Sequence, residues 1–552
     1  MSRWNCAAVL LLPVFWSCSK KSGVDSSPPA NFSSTGIKLN GQSANSSNYN
    51  TGVLPAIEFF FSSPVNKSTV NSAFSFTDKS GVAVAYAVSY ENNDNTVIVR
   101  PSANLKYLAN YIVSAATSLQ STAGGHLIGN PSVNFTTTID SSRKFPIISD
   151  DALLTLVQQQ TFKYFWDFGH PVSGMARERN TSGETVTTGG TGFGIMTIPV
   201  AINRNFITRV DGLSRVQKIV SFLKNNAQHF HGAFSHWMNG STGAVVPFAA
   251  NDDGADLVET SYLVMGLLTA RQYFDAADIS ETNLRNDIND VWNQVEWDWF
   301  RQNGQNVLYW NWSPNSGWAV NVPIQGWNEC LITYVLAASS NTHAIPKVAY
   351  DNGFARNGAM QNNSTYYGYT LPLGESYGGP LFFDHYSFLG IDPGSLSDTY
   401  ANYQTQTLNH TRINYEYCKA NPKQYFGYSD SCWGLTASDI QNGYTASSPT
   451  NDVSVIAPTA AISSIPYTPV ESMKALKFFY YVLGDKLWGE YGFKDAFSLQ
   501  NLWFADSYLA IDEGPIIVMI ENYRTSLLWN LFTGCPEIKT GMTTLGFSAP
   551  YL

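Results

Sequence analysis

The sequence predicts an all-α domain preceded by a smaller all-β sandwich. Residues 35–140 contain short segments in which apolar and polar residues alternate between turn residues, a pattern typical of antiparallel strands. From about residue 150 the pattern changes to long helical periods broken by aromatic and glycine-rich loops. A chain of 552 residues also exceeds one ordinary domain. We therefore expect a sandwich over 35–140 and a helical domain over 146–552.

The N-terminal segment has the features of a bacterial export signal. Arg3 supplies the charged start, and residues 7–15 form an apolar run too short to span a bilayer. Ser17, a small residue, precedes Cys18 directly after this run, as in a lipoprotein box. We predict that Cys18 carries the lipid and that residues 1–18 are the signal; an ordinary cleavage site nearby is the alternative.

The composition limits the partners and the location. Charged residues make up 13% of the chain, against about 25% in a typical soluble domain, and the net charge is −10. This balance opposes binding to nucleic acid or to anionic lipid, which require basic patches. Residues 19–34 are rich in Ser, Pro and Gly and are predicted to be a flexible tether. We expect a monomer in the cell envelope that touches the membrane only through its lipid. Its expected location is the outer membrane, the periplasm or the cell surface.

Four cysteines remain outside the first 18 residues, namely Cys330, Cys418, Cys432 and Cys535. No pair has the spacing of a metal site, and no cofactor is expected. Cys418 and Cys432 are close enough in sequence for a disulfide across a loop. Free buried thiols explain the same residues equally well.

The predicted strands of the first domain are centred on four alternating or apolar segments, residues 57–61, 97–99, 111–113 and 133–135. The run 59–70, the segment 101–105, Tyr111 and the closing residues 135–137 resemble a bacterial immunoglobulin-like module. That resemblance implies a sandwich that serves as a spacer. Sugar binding is the minority alternative.

The predicted helices share acidic or aromatic N-terminal ends and apolar bodies. They cover residues 152–168, 214–228, 256–273, 282–299, 327–338, 398–418, 469–482 and 515–531. A solenoid and a closed toroid of helix pairs both fit this pattern. The absence of a fixed 34–47-residue repeat disfavours common solenoids. In a toroid the N-terminal ends of the inner helices line one open mouth, where polar residues are useful.

The acidic segment 251–260 is the main candidate for chemistry. Asp252 or Asp253 is suited to cap the following helix, which places Asp256 and Glu259 on one face. A well-capped helix needs one or two acids, whereas four clustered carboxylates repel one another. We therefore interpret the cluster as functional. A calcium site is a weak alternative, because the alternating ligands of a known loop are missing.

A second acid, Glu329, opens the predicted helix 327–338 after a loop that contains Trp310, Trp312 and Trp318. Aromatic neighbours would desolvate this carboxyl and raise its pKa, as a proton donor requires, although the helix dipole acts in the opposite direction. Of these tryptophans, Trp310 and Trp312 are candidate sugar-binding residues. Paired carboxylates without metal or nucleophile motifs indicate glycoside hydrolysis.

Three loops supply further candidate binding residues. Asp384 and His385 lie side by side and suit hydrogen bonding to sugar hydroxyls, although a buried structural Asp–His pair is an equal alternative. Trp433 is a candidate platform, and Arg177 a candidate for binding hydroxyls or fixing a carboxylate. Asp512 and Glu513 precede Pro515, where capping a helix is the first interpretation and lining the mouth the second.

The helical domain resembles glycoside hydrolase family 144, the bacterial "glycoamylase" group. The resemblance rests on residues 164–168, 252–259, 326–329, 383–386, 432–439, 457–459, 505–508 and 521–524, in this order. It implies an (α/α)6 barrel and an inverting, metal-free hydrolase of β-1,2-glucan. It also implies that Glu329, Asp252, Asp256 and Glu259 match the acids important in the family.

We therefore expect an endo-acting β-1,2-glucanase with Glu329 as general acid, Asp256 or Glu259 as base or water-positioning group, and Asp252 in support. An exo-acting enzyme that releases sophorose is the nearest alternative. A polysaccharide lyase that uses His385, Tyr386 and Arg177 is a third reading. A glycan-binding lipoprotein without activity is the fourth.

Overall fold

The computed structural model describes residues 28–45 and 47–552. The predicted signal with Cys18 and most of the tether therefore lie outside the described residues. The chain divides after Ile139 into two compact units. In the described ranges no helix has both the length and the apolar character that crossing a bilayer requires.

The first unit is a β-sandwich. Its elements are β1 (Phe32–Leu39), β2 (Gln42–Ser43), β3 (Asn48–Thr51), β4 (Ile57–Phe61), α1 (Lys67–Ala73), β5 (Phe74–Asp78), β6 (Tyr86–Glu91), β7 (Thr96–Pro101), β8 (Asn110–Ala115), β9 (Leu127–Ile128) and β10 (Ser132–Thr137). One sheet has the order β2-β1-β4-β7-β6, with β9 added parallel to β1; the other has the order β3-β10-β8-β5.

Alternation along the strands forms the core of this sandwich. Ile57, Phe59 and Phe61 are buried on one face of β4, while the residues between them are half-exposed. Phe59 meets Phe74 of the other sheet edge-to-face, with ring centroids 5.1 Å apart. The aromatic side chains of both sheets thus interdigitate. The strand predictions and the all-β class of this region are confirmed.

The second unit is helical. Its helices are α2 (Asp150–Trp166), α3 (Thr188–Asn203), α4 (Arg209–Asn225), α5 (Leu257–Tyr273), α6 (Ile279–Asn293), α7 (Leu331–Ser339), α8 (Lys347–Ala349), α9 (Tyr403–Ala420), α10 (Pro458–Ser463), α11 (Pro469–Lys477), α12 (Gly484–Leu487), α13 (Ala510–Thr525), α14 (Leu527–Thr533) and α15 (Pro536–Leu545). Two π-helical segments, Tyr350–Phe354 and Phe478–Val482, follow α8 and α11.

Short strands join the helices at their ends. They are β11 (Thr185–Thr187), β12 (His229–Phe230), β13 (Ala233–Phe234), β14 (Trp237–Asn239), β15 (Val245–Val246), β16 (Ala255–Asp256), β17 (Leu308–Tyr309), β18 (Asn311–Trp312), β19 (Pro323–Ile324), β20 (Thr365–Tyr366), β21 (Tyr369–Thr370), β22 (Ala437–Ile440), β23 (Gly443–Ala446), β24 (Trp488–Gly489), β25 (Gly492–Phe493), β26 (Phe497–Ser498) and β27 (Trp503–Phe504). Each pairs only with another short strand of this unit.

The helices form a closed ring inside an outer layer. The contacts run α10–α13–α3–α5–α7, and α7 then contacts the short helical segment 381–389. Hydrogen bonds close the ring, because His385 Nε2 lies 2.9 Å from Ser464 Oγ and Tyr467 Oη donates to Asp384 O. Outer helices alternate with inner ones along the chain, in the six pairs α2/α3, α4/α5, α6/α7, α8/381–389, α9/α10 and α11/α13. The predicted toroid is therefore an (α/α)6 barrel.

Two glycines allow the closest approach in the ring, between α3 and α5. A Cβ atom on Gly192 would lie 2.2 Å from Tyr262 O, and one on Gly266 would lie 2.2 Å from Gly192 O. Both neighbours are backbone atoms, which cannot rotate away. The two helices therefore touch along their backbones, and this contact sets their separation.

Replacing Gly192 with Ala should destabilise the helical domain by about 1–3 kcal/mol, because the added methyl group forces the two backbones apart. A fall in the melting temperature, followed by tryptophan fluorescence, would register this change. An unchanged melting temperature would contradict the close packing of α3 and α5.

Helix α3 was not predicted, and several predicted boundaries were wrong. Its sequence contains four glycines and Pro199, all unfavourable in a helix interior, so burial rather than propensity stabilises it. The helix predicted to begin at Trp327 begins at Leu331. The helix predicted to begin at Pro515 begins at Ala510, so Pro515 lies inside it. The N–H of Ala510 donates to Glu178 O.

Candidate active site

The ring encloses a cavity of about 440 Å³ at the N-terminal ends of its inner helices. Thr187 precedes α3, Glu259 lies in the first turn of α5, Glu329 precedes α7, and Leu509 precedes α13. The expectation that these ends surround one mouth is confirmed. The other lining residues are Glu178, Arg179, His236, Trp237, Phe248, Val258, Tyr262, Trp310, Phe382, Tyr386, Ala437, Tyr444, Ala446 and Ile511.

Glu329 lies on the cavity wall in the turn before α7, not within the helix as expected. Its backbone carbonyl accepts a hydrogen bond from Ser387 Oγ, which fixes the turn to the neighbouring segment of the ring. Burial raises the pKa of its carboxyl to about 7, and the nearby charges of Asp256 and Glu259 act in the same direction. Such a group still carries its proton in about half of the molecules at pH 7.

The acidic segment is organised by Asp256, which caps α5 in place of Asp252 or Asp253. Its Oδ1 accepts the N–H groups of Val258 and Glu259 at 3.0 and 2.9 Å. The helix starts no earlier because β16, which contains Asp256, pairs with β18. Asp256 is buried and is not part of the cavity lining.

His236 connects two of the predicted acids. Its Nδ1 lies 2.9 Å from Asp256 Oδ2, and its Nε2 lies 4.0 Å from Glu259 Oε1. Burial opposes a charge on the ring, but the carboxylates of Glu259 and Asp256 outweigh it and raise the pKa of His236 to about 9. At neutral pH the ring is therefore an imidazolium between two acids, and its centroid lies 4.1 Å from that of the tilted Phe248 ring.

Glu259 lines the cavity, and residues at the start of α3 hold one of its carboxylate oxygens by hydrogen bonds. Its Oε2 accepts hydrogen bonds from Gly189 N at 2.7 Å and Thr187 Oγ1 at 3.3 Å. Burial raises the pKa of this carboxyl, and the charge of His236 counteracts the rise. Its Oε1 has no hydrogen bond to another of the described residues.

Asp252 and Asp253 differ in their surroundings. Asp252 is half-buried and accepts a hydrogen bond from Asn311 Nδ2 at 3.0 Å. Burial, reinforced by Asp256, raises the pKa of Asp252 to about 6. Hydrogen bonds from Ser313 and Asn315 instead lower the pKa of Asp253. Neither Asp252 nor Asp253 lines the cavity. Of the four predicted catalytic acids, Glu259 and Glu329 reach the cavity directly, whereas Asp252 and Asp256 do not.

Among the predicted sugar platforms, Trp310 lines the cavity, but Trp312 and Trp433 do not. Trp312 packs edge-to-face on Trp299, with centroids 5.4 Å apart. Trp433 is completely buried, and its indole N–H donates to Glu471 O at 3.3 Å. A platform must be exposed, so the prediction for Trp433 was wrong.

Asp384 and His385 are buried structural residues, the alternative that the sequence left open. Asp384 Oδ2 lies 2.7 Å from the Nδ1 of His410 on α9, and both side chains are inaccessible. Burial lowers the pKa of His385 to about 3. Their hydrogen bonds join neighbouring elements of the barrel, and neither residue reaches the cavity.

Arg177 also lies outside the cavity, because its guanidinium donates to the carbonyls of Gly183 and Phe168. The second arginine of that segment, Arg179, is the one that lines it. Arg179 forms ion pairs with Glu178 at 3.0 Å and with Asp439 at 3.1 Å. It therefore fixes two carboxylates, of which Glu178 lines the cavity.

A group of buried acids lies behind this wall. Asp495 accepts the N–H of Asp439 at 2.7 Å, and burial raises its pKa to about 7. Asp512 and Glu513 occupy the first turn of α13, where burial raises both pKa values. They neither cap α13 by a side-chain hydrogen bond nor line the cavity.

The sequence missed several cavity residues, among them His236, Tyr262 and Phe382. Tyr262 has a buried hydroxyl without a hydrogen-bond partner among the described residues, and its ring packs on Phe193 and Tyr386. Its position one turn after Glu259 was the available signal. His236 gave none, because it lies 20 residues before Asp256 in an unremarkable loop.

The four described cysteines are free and buried, so the disulfide between Cys418 and Cys432 is absent from this structure. Within residues 28–45 and 47–552, no group of three or more His, Cys, Asp or Glu side chains is arranged to hold a metal ion.

Comparison with known proteins places this architecture in a family. Residues 321–536 match the Glycoamylase family model, described as "Putative glucoamylase", and residues 24–137 match a bacterial Ig-like domain. The chain is 56% identical to a "putative glucoamylase" of Bacteroides uniformis, with a TM-score of 0.73, covering 74% of this chain and all of that structure.

Two relatives carry more specific names. An endo-β-1,2-glucanase of Chitinophaga pinensis, solved with sophorotriose and glucose, is 50% identical, with a TM-score of 0.72, over 74% of this chain and all of that one. An exo-β-1,2-glucooligosaccharide sophorohydrolase of Parabacteroides distasonis is 45% identical over 73% of this chain. The match spans 58% of that curated relative's length.

The barrel with an acidic mouth is therefore that of a glycoside hydrolase. The chain belongs to the glycoamylase family of the family 144 type, with an Ig-like domain in front.

Proposed function

We propose that this protein hydrolyses β-1,2-glucan within the chain, inverts the anomeric configuration and releases short sophoro-oligosaccharides. The observation that carries the proposal is the pair of carboxyl groups that line the same cavity, Glu329 and Glu259, held in different environments. The substrates named for two relatives support the linkage.

In this mechanism Glu329 is the general acid. Its proton passes to the glycosidic oxygen as the bond from that oxygen to C1 breaks. Glu259, whose Oε1 accepts no hydrogen bond from the other described residues, takes a proton from the water that attacks C1 from the opposite face. Asp256 holds the His236 imidazolium, which orients Glu259, and Asp252 supports this network. Solvent then returns the proton to Glu329.

Substrate binding falls to the aromatic groups of the wall. Trp310 and Phe382 offer apolar faces for glucose rings. Among the described lining residues, Arg179 is paired with Glu178 and Asp439, and His236 with Asp256, so neither cation is left unpaired for an acidic polymer. This feature disfavours the lyase alternative.

The raised pKa of Glu329 makes a prediction about pH. A proton donor is active only while protonated, so kcat/KM should fall by about tenfold per pH unit once the pH rises above about 7. Initial rates from pH 5 to 9 would measure this alkaline limb. Activity that stays constant to pH 9 would exclude Glu329 as the donor.

Product analysis tests the function itself. Linear β-1,2-glucan incubated with the enzyme should yield a range of short oligosaccharides, and inversion of a β-linkage should give the α-anomer first, visible by NMR. Sophorose as the only early product would establish the exo alternative, which the name of the Parabacteroides distasonis relative favours. Binding without new reducing ends would refute hydrolysis.

We also propose that the protein is a monomeric lipoprotein of the cell envelope, anchored through Cys18. The charged start, the short apolar run and Ser17 before the cysteine support this assignment. Metabolic labelling with an alkyne fatty acid should mark the wild type and not Cys18→Ser. An unlabelled wild type would leave an ordinary cleavage site as the explanation.

A further inference from the structure

A second groove adjoins the cavity. It has a volume of about 600 Å³ and shares two lining residues with the cavity, Arg179 and Tyr444. The hairpin of β22 and β23 contributes to both walls, and Tyr444 on β23 is 49% exposed. The two spaces thus lie side by side, with Tyr444 in the lining of both.

Trp503 is the main apolar surface of this groove. Its side chain is half-exposed, and among the described residues its ring packs on no other aromatic ring and its indole N–H has no hydrogen-bond acceptor. Its neighbour Phe504, by contrast, stacks on Phe497 with nearly parallel rings. An exposed, unengaged indole in a groove is a surface on which a flat apolar face can lie.

The polar groups of the groove are matched to a neutral ligand. Arg179 pairs with Asp439, Ser507 Oγ donates to Asp439 Oδ2 at 2.5 Å, and Asp506 pairs with Lys494. Each charge therefore has a partner within the protein. Such a surface offers hydroxyl and amide groups around an indole, which suits a neutral polyol rather than a charged ligand.

We propose that this groove is an outer arm of the substrate cleft, in which Trp503 binds glucose units of a long β-1,2-glucan beyond those held in the cavity. This inference rests on the proposed function. It implies that the enzyme prefers polymer to short oligosaccharides, because only a long chain reaches both spaces.

The test compares a long linear β-1,2-glucan with the shortest sophoro-oligosaccharide that the wild type cleaves. Trp503→Ala should raise KM for the polymer about tenfold with little change in kcat, and leave the kinetics on the short substrate unchanged. Trp503→Phe, which keeps a flat ring, should retain most of the affinity. Tyr523→Ala removes another exposed aromatic residue, on α13 and outside both spaces, and is the matched control.

Failure of the outer-arm proposal and failure of the proposed function give different results. Equal losses on both substrates, or no loss on either, would overturn the outer arm while leaving the hydrolase intact. If the wild type cleaves neither substrate, the proposed function fails. In that case, equal retardation of wild type and Trp503→Ala in glucan-containing native gels would refute the groove independently.

Discussion

Replacing Glu329 with Gln is expected to lower kcat/KM on β-1,2-glucan by a factor on the order of 10²–10⁴, because an amide cannot donate the proton to the leaving oxygen. The fold should survive, since the side chain keeps its size and Asp256 and Glu259 keep their partners. Rates on the polymer, with circular dichroism and a thermal melt on the same preparation, measure both properties.

The stability of this variant at alkaline pH is a second, independent test of the assignment. The pKa of Glu329 is higher in the folded chain than in the unfolded one, so this group's contribution to stability falls as the pH rises from 4.5 through 7. The amide variant lacks this penalty and should be at least as stable as the wild type at pH 8. A fully active variant would refute the assignment. Inactivity accompanied by a large loss of stability would indicate a structural role instead.

The second large effect concerns stability. Glu521 on α13 is completely buried and forms a two-pronged ion pair with Arg204 at the end of α3, with distances of 2.8 and 2.9 Å. Arg204→Ala leaves this carboxylate without its counter-charge. We expect a loss of about 3–5 kcal/mol in the free energy of unfolding, measured by urea denaturation.

Two companion variants identify the cause. Arg204→Met combined with Glu521→Met removes both charges and should recover part of the loss, whereas a packing defect would make the double variant worse. Lys474→Ala breaks an exposed pair with Asp430 and should cost less than about 1 kcal/mol. A small effect of Arg204→Ala would show that the buried charge is tolerated.

Much of the fold was predictable because its determinants are local. The alternation of buried and half-exposed residues at 57–61 depends only on the two faces of one strand, and it is present in β4. Helix α3 was not predicted, because its glycines are favourable only when Gly192 packs against Gly266 of α5. These two residues are 74 positions apart in the sequence. The cap of α5 was predicted at Asp252 or Asp253 instead of Asp256 for the same reason, because β16 pairs with β18, which follows much later in the chain.

The candidate site was predictable where charge density was high. Glu259 and Glu329 stood out as acids at the starts of apolar helices, and both reach the cavity. Trp433 and His385 failed because the type of residue does not reveal its exposure. His236 was missed because its role arises from two carboxylates that folding brings to its ring nitrogens.

The placement of the cavity has a consequence for how such enzymes diversify. The wall is built mainly from turns and first helical residues, while the bodies of the inner helices pack against one another and against the surrounding helices. Changes in the connecting loops can therefore reshape the mouth without disturbing the packing that stabilises the ring. Relatives named for endo and exo cleavage are each about half identical to this chain. Endo and exo action can therefore diverge through changes at the rim while the packing of the ring is kept.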